Sequence, residues 1–197
     1  MPKIIIHLSL LLVIALSCWG CAARTASSND SPTATQTPNA SGDLHYKVPE
    51  GWVIEKPTSS MRAAQYKLPK AEGDSEDASL VVYYFGPGQG GAVSDNVDRW
   101  IGQMEQPGGG SSSKEKAKTE TIIVNGLKVT MVDVSGTYTA QMSPGSDARH
   151  NNSNYRLRAA VVETPKGNYF AKLIGPAKTI SRWDQSFTDY VKSFEFK

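Results

Sequence analysis

Two hydrophobic patterns predict β-strands in the chain from Leu44 onward. Residues 62–68 alternate between apolar and polar positions, whereas residues 79–85 are apolar on both faces, as in a central strand that is covered on both sides. Turn residues separate the predicted strands. The predicted strands are residues 44–48, 52–54, 62–68, 79–85, 118–124, 127–134, 155–163 and 169–175. The pair Asn125-Gly126 and the segment 164–167 each favour a hairpin between the strands on either side. The sheet is therefore predicted to be mainly antiparallel.

Two other segments have the period of an α-helix instead. Ser94 is a predicted N-cap for the first helix, and the second is predicted over residues 179–194. The apolar stripes consist of Val93, Val97, Trp100, Ile101 and Met104 in one helix and of Ile180, Trp183, Phe187, Tyr190, Val191 and Phe194 in the other. Polar segments at 107–113 and 142–154 are predicted loops. The predicted class is α+β, with helices packed on the faces of a central sheet.

The N-terminus has the layout of a secretory signal, since Lys3 is followed by a hydrophobic run at 4–16 and then by small residues. A helix over this run would be roughly 20 Å long, shorter than the ~30 Å hydrocarbon core of a bilayer. A signal peptide at residues 1–17 is therefore predicted.

The residues around Cys18 resemble the processing box of bacterial lipoproteins, in which a cysteine after a small residue is lipidated. Ala15, Leu16 and Ser17 fit that box before Cys18, and Cys21 is the alternative lipidation site. Cleavage after Ala23 without lipidation also remains open. The two cysteines form a C-x-x-C as well, but the strand and helix of a redox site do not flank them.

Residues 18–43 are predicted to be a flexible tether, because Ser, Thr, Pro and Asn dominate them and large hydrophobic residues are scarce after Cys21. Residues 44–197 are predicted to form a single domain. That domain contains no cysteine, so its stability must come from its core.

Several short sequence segments between residue 44 and residue 197 resemble sequences of the PsbP-like family. They are residues 48–52, 62–66, 86–91, 96–100 and 170–176, followed by a terminal amphipathic helix. The resemblance implies an α/β/α sandwich, an antiparallel sheet with helices on both faces. It also implies a binding or assembly module more than an enzyme.

A glycine-rich segment follows the fourth predicted strand and precedes the first predicted helix. Gly86, Gly88 and Gly91 match G-x-G-x-x-G, which in a parallel β-α-β unit holds a dinucleotide pyrophosphate. Here the following strands belong to an antiparallel hairpin, so a plain strand-to-helix connection is the favoured interpretation. No cofactor is predicted.

Catalytic and metal-ligating patterns are otherwise scarce. His45 and His150 stand apart and do not form H-E-x-x-H, so no metal site or catalytic residue is predicted. The acidic segment 72–77 has oxygen ligands that suit Ca²⁺, but a solvated turn is the favoured interpretation.

The net charge of +2 offers no basic stripe for nucleic acid, so nucleic acid is not a predicted partner. His45, Tyr46, Trp52, Gly88 and Gly90 are the candidate surface for a protein partner. The predicted function is a membrane-anchored lipoprotein outside the cytoplasm, in the periplasm or cell envelope, that acts as a non-catalytic binding module. The alternative is a secreted enzyme or small-ligand carrier that uses the glycine loop at 86–91.

Overall fold

The computed structural model describes residues 44–106 and 113–197, and every strand pair in this part of the chain is antiparallel. The strands are β1 (Leu44–His45), β2 (Val53–Glu55), β3 (Arg62–Leu68), β4 (Ala78–Tyr84), β5 (Met104–Glu105), β6 (Lys118–Val124), β7 (Leu127–Tyr138), β8 (Asn152–Glu163), β9 (Tyr169–Pro176) and β10 (Glu195–Phe196). The helices are α1 (Val93–Ile101), α2 (Ser113–Lys116), α3 (Ala177–Arg182) and α4 (Asp184–Lys192).

Within these residues the main sheet has the strand order β2-β3-β4-β9-β8-β7, and both β5 and β6 pair with β7. β1 pairs with β10 in a separate two-stranded sheet. The predicted mainly antiparallel sheet is confirmed. At the tight turn between β6 and β7, Asn125 and Gly126 have φ angles of 49° and 83°, which is the conformation that favours Asn-Gly in two-residue hairpins.

The buried hydrophobic residues form two clusters, and neighbouring positions of β8 contribute to different ones. Leu157, Ala159 and Val161 join Val97 and Trp100 of α1 in what we name the α1 cluster. A second group, named the α4 cluster, contains Ala160 and Val162 of β8 together with Ile180, Phe187, Tyr190 and Val191. Successive side chains of a strand point to opposite faces, so the two clusters lie across the sheet from each other.

The prediction of a single helix over residues 179–194 is wrong. The chain forms two helices there, α3 and α4, with a break at Trp183. The backbone of Trp183 has φ −100° and ψ 12°, and its indole Nε1 donates to the carbonyl of Pro69 at 2.8 Å. This contact ties the junction between α3 and α4 to the residue that follows β3. Phe194 lies beyond α4 but is still buried in the α4 cluster.

The first helix also differs from its prediction at both ends. Its N-cap is Ala92 without a side-chain hydrogen bond, so the predicted capping role of Ser94 is wrong. Met104 is fully buried as predicted, but it belongs to β5, where it pairs with Tyr138. Residues 113–116, of which only Ser113 belongs to the predicted loop at 107–113, form the short helix α2.

The acidic segment at 72–77 is tied to the rest of the domain by hydrogen bonds. Asp74 accepts hydrogen bonds from the backbone N–H and the hydroxyl of Thr179, at 2.8 and 2.6 Å. Asp77 accepts from the backbone N–H of Lys70 at 2.8 Å, and Glu76 accepts from the Tyr155 hydroxyl. Asp74 therefore ties the β3–β4 connection to the start of α3, and Glu76 ties it to β8. Glu72, Ser75 and Glu76 are exposed, which agrees with the favoured interpretation of a solvated turn.

The predicted signal peptide at 1–17, the tether at 18–43 and the lipidation sites Cys18 and Cys21 lie outside the described residues. They stay predictions. Among residues 44–106 and 113–197, no helix has the length and apolar character needed to cross a membrane.

Candidate functional site

The glycine loop at 86–91 connects β4 to α1 and folds closely onto two aromatic rings. Gly90 has φ +90°, and a Cβ at this position would lie 2.6 Å from Phe170 and 2.9 Å from Phe85. The buried amide of Asn96 donates to the carbonyls of Gly90 and Ala92, at 2.8 and 2.9 Å. Only glycine fits at Gly90, since both its dihedral angle and the surrounding space exclude a side chain.

A cavity of about 180 Å³ opens beside this loop. Its walls combine four aromatic rings with four polar side chains, and none of them is acidic. The lining residues are Tyr83, Phe85, Asn96, Arg99, Trp100, Gln103, Phe170 and Lys172. We name this cavity the basic aromatic pocket. Small-ligand sites commonly join apolar walls to a few convergent polar groups in this way.

Lys172 occupies an unusual place for a lysine, in a row of hydrophobic residues across the centre of the sheet. On β9 it is paired with Val81 of β4 on one side and with Ala159 of β8 on the other. Ala159 is in turn paired with Val132 of β7. All three neighbours are buried, so the lysine stem crosses an apolar surface before its amine reaches the pocket.

The amine of Lys172 is held by neutral groups. It donates to Gln103 Oε1 at 2.6 Å and to the Tyr138 hydroxyl at 3.4 Å, and it lies 5.2 Å from the centre of the Tyr138 ring. Burial, with a smaller contribution from the positive charge of Arg99, lowers the pKa of Lys172 to about 8. Both effects disfavour the ammonium form.

Arg99 supplies the second cation of the pocket from the exposed side of α1. Its guanidinium donates to the Oδ1 of Asn96, the residue whose amide holds the glycine loop. Among the described residues, neither Arg99 nor Lys172 forms an ion pair with a carboxylate. The pocket therefore presents two cations whose charge no acidic side chain of its lining offsets.

Two further cavities, of about 360 and 440 Å³, open on either side of Asp133, and the arginines in their walls are already paired with aspartates. Arg156 donates to both oxygens of Asp133, and Arg158 donates to the side chain and backbone carbonyl of Asp184. Burial lowers the pKa of Arg158, although both aspartates act in the opposite direction. This cluster holds α4 against β8, which is a structural role.

The five residues of the predicted partner surface fall into two groups. The rings of Tyr46 and Trp52 both pack against Tyr190 in the α4 cluster, and Trp52 is buried. His45 is exposed at the β1–β10 pair. Gly88 and Gly90 instead belong to the loop beside the basic aromatic pocket. These contacts do not join the two groups, and a partner surface that includes both stays a prediction.

The glycine loop does not sit in a parallel β-α-β unit, because β4 pairs antiparallel with both β3 and β9. This supports the interpretation of the loop as a strand-to-helix connection. Within residues 44–106 and 113–197, no group of three or more His, Cys, Asp or Glu side chains is placed to hold a metal ion.

Sequence reasoning missed Arg99, Gln103 and Lys172 as site residues. Arg99 and Gln103 belong to α1 and the turn after it, whereas Lys172 lies in β9, so only the fold brings them together. One signal was present for Lys172. Residues 170, 172 and 174 share one strand face, and a lysine between Phe170 and Ile174 interrupts an otherwise hydrophobic face.

No protein-family model matches the chain, and no curated protein matches it. The chain is similar to the crystal structure of a protein of unknown function from Pseudomonas aeruginosa, with 15% identity and a TM-score of 0.42, covering 79% of this chain and 99% of that one. It is also similar to the solution structure of cyanobacterial PsbP from Synechocystis, with 12% identity and a TM-score of 0.44, covering 84% of this chain and 99% of that one. The second neighbour belongs to the family that the sequence resembles, but likeness at this level does not place the chain in that family.

Proposed function

We propose that the chain is a non-catalytic binding module, anchored by an N-terminal lipid outside the cytoplasm, whose domain holds a small anionic ligand in the basic aromatic pocket. The proposal keeps the predicted lipoprotein and joins to it the small-ligand carrier that the sequence left as an alternative. It also takes the domain to be a PsbP-like α/β/α sandwich. The separation of the core into the α1 and α4 clusters supports that arrangement.

The observation that carries the proposal is the pair of cations, Arg99 and Lys172, in a pocket without an acidic residue. Lys172 is the desolvated member of the pair, and a desolvated charge is unfavourable unless a partner compensates it. A ligand carboxylate or phosphate would supply that partner and would accept hydrogen bonds from both side chains.

The walls and the size of the pocket narrow the class of ligand. Phe85, Trp100 and Phe170 line the cavity with aromatic rings that suit a planar apolar group. At about 180 Å³ the cavity is smaller than the ~300 Å³ at which ligand pockets usually begin. A single ring carrying one anionic group therefore suits it best. The anion can also belong to a protein partner, one of whose carboxylates would then enter the pocket.

Arg99→Gln is expected to weaken the binding of 3-phenyllactate, an aromatic hydroxy acid, about tenfold, because one charge-assisted hydrogen bond is lost. The affinity of the full chain is measured by isothermal titration. Arg182→Gln removes the same charge from α3, away from the pocket, and serves as the control. Equal weakening by the two substitutions would mean that only overall charge attracts the anion.

Cys18→Ser is expected to release the protein from the membrane fraction of a bacterial host that processes lipoproteins, because the acylated sulfur is removed. The measurement is fractionation followed by immunoblotting, with Cys21→Ser as the matched control. Release by Cys21→Ser alone would move the anchor to the alternative cysteine. Membrane association that neither substitution changes would count against a lipid anchor.

A further inference from the structure

We propose that the Lys172 amine reversibly captures a small aldehyde or 2-oxo acid as an imine inside the basic aromatic pocket. This inference rests on the proposed function, since it requires that the pocket admit an anionic ligand. It goes further by naming the group that reacts and the class of ligand that it takes. Capture by an imine does not require turnover, so it is compatible with a binding module.

The fold fixes the position of the Lys172 amine beside the cavity. The β9 backbone fixes the start of the side chain in the centre of the sheet, between Val81 and Ala159. The far end reaches the cavity and is oriented by Gln103 and Tyr138. A nucleophile held in one orientation beside a ligand cavity loses little freedom when it reacts.

The surroundings of Lys172 also favour the unprotonated amine, which is the form that reacts. Gln103 and Tyr138 are neutral, so no carboxylate in the lining stabilises the ammonium form of Lys172. With a pKa lowered to about 8 by burial and by Arg99, Lys172 has an unprotonated amine in a sizeable fraction of molecules near neutral pH. At pH 7.5 that fraction is about a quarter, compared with about a thousandth for an ordinary lysine. Desolvation together with a second cation is a known way to activate a lysine amine.

The reaction needs no further reagent. The lone pair of Nζ attacks the carbonyl carbon to form a carbinolamine. The carbonyl oxygen then leaves as water with the two hydrogens of the amine, and a carbon–nitrogen double bond remains. A lysine that begins as the ammonium first releases one proton to solvent. Hydrolysis by water reverses the sequence, and nothing is oxidised or reduced.

The groups around the Lys172 amine determine which carbonyl compound fits the pocket. A 2-oxo acid carries its carboxylate next to the reacting carbon, so Arg99 can pair with the carboxylate while Lys172 reaches the carbonyl. Phe85 and Phe170 leave space for one planar substituent. Phenylpyruvate combines all three features and is the probe of choice.

The test is reductive trapping of the full chain with phenylpyruvate and cyanoborohydride, followed by peptide mass analysis. Lys172 is expected to be labelled at least about tenfold faster than the exposed Lys114 and Lys178, and its rate is expected to rise through about pH 8. Excess 3-phenyllactate, which has the ring and the carboxylate but no carbonyl, is expected to slow this labelling. The urea-unfolded chain is the control in which all three lysines should react alike.

Labelling of Lys172 no faster than the exposed lysines, in a protein that still binds 3-phenyllactate, would overturn the imine and leave the proposed function standing. Equal labelling together with no binding of 3-phenyllactate would overturn both. Fast labelling of Lys172 that 3-phenyllactate does not slow would also count against the inference, because the reacting carbonyl would then lie outside the pocket.

Discussion

Lys172→Met is expected to stabilise the protein at pH 7 by about 1 to 3 kcal/mol, and most of the gain is expected to be lost by pH 10. The main reason is burial, which together with the charge of Arg99 lowers the pKa of Lys172 to about 8 from 10.5. Below pH 8 the lysine is charged in the folded and the unfolded chain alike. The free energy needed to bury the charge then lowers the stability of the folded state in full. Between pH 8 and 10.5 the unfolded chain binds more protons, and the stability of the wild-type protein therefore rises with pH.

The measurement is the free energy of unfolding in urea for the wild-type protein and the variant at pH 7, 8.5 and 10. Lys128→Met is the matched control, since Lys128 is exposed and pairs with Glu163. Its effect should be small and nearly independent of pH between these values. A Lys172→Met protein that is no more stable than the wild type at pH 7, with the same difference at pH 10, would contradict the assignment of an unfavourable buried charge.

The buried tyrosines act in the opposite direction at higher pH. Burial raises the pKa of Tyr46, Tyr66 and Tyr190, so the unfolded chain loses these phenolic protons first. Stability is therefore lost above about pH 10 in both proteins. The difference between wild type and variant removes this common effect and isolates Lys172.

A lysine that lowers stability in a hydrophobic row of the sheet indicates a site kept for another purpose. Natural proteins tolerate unfavourable groups where binding needs them, and strongly shifted pKa values concentrate at such places. Lys172 borders a cavity, faces a second cation and has only neutral hydrogen-bond partners. Together these properties favour the proposed ligand site more than a role in packing.

The sheet could be predicted because its signals are local. Asn125-Gly126 closes a hairpin on dihedral grounds alone, and the period of two residues in β3 assigns its faces without tertiary information. β4 is recognisable instead as a continuous β-branched and aromatic run. The pattern fails where a distant contact decides the backbone. Trp183 continues a helical stripe in the sequence, but its indole is bound by the Pro69 carbonyl across the fold, and the helix breaks there.

The candidate site was only partly accessible to the same reasoning. The glycine loop was visible because glycines cluster after a strand, and Gly90 does need its positive φ angle. Its neighbours in the pocket come from β4, α1 and β9. A hydrophobic period of two or 3.6 residues shows which side of a strand or helix is buried, but it does not show which distant elements pack together. The strand order β4-β9-β8 and the packing of α1 against this side of the sheet bring Lys172 to Arg99.

Phe187→Ala is expected to lower the free energy of unfolding by about 3 to 5 kcal/mol, the largest loss among the single changes proposed. The ring is fully buried in the α4 cluster, and the guanidinium of Arg158 lies 4.7 Å from its centre. Alanine is a good helix former, so α4 keeps its propensity and the loss comes from the cavity and from the missing cation–π contact.

The controls separate this loss from changes in the binding site. Phe187→Leu keeps most of the volume and should cost about 1 kcal/mol, and Ile123→Ala, at a side chain that is 70% exposed, should cost less. Because Phe187 lies in the α4 cluster and the pocket draws on Trp100 and Phe170 of the α1 cluster, the folded Phe187→Ala protein should bind 3-phenyllactate with unchanged affinity. Lys172→Met should do the reverse, gaining stability and losing affinity. If Phe187→Ala weakened binding as much as it weakened folding, the two sides of the sheet would be coupled, and the pocket could not be treated as an independent site.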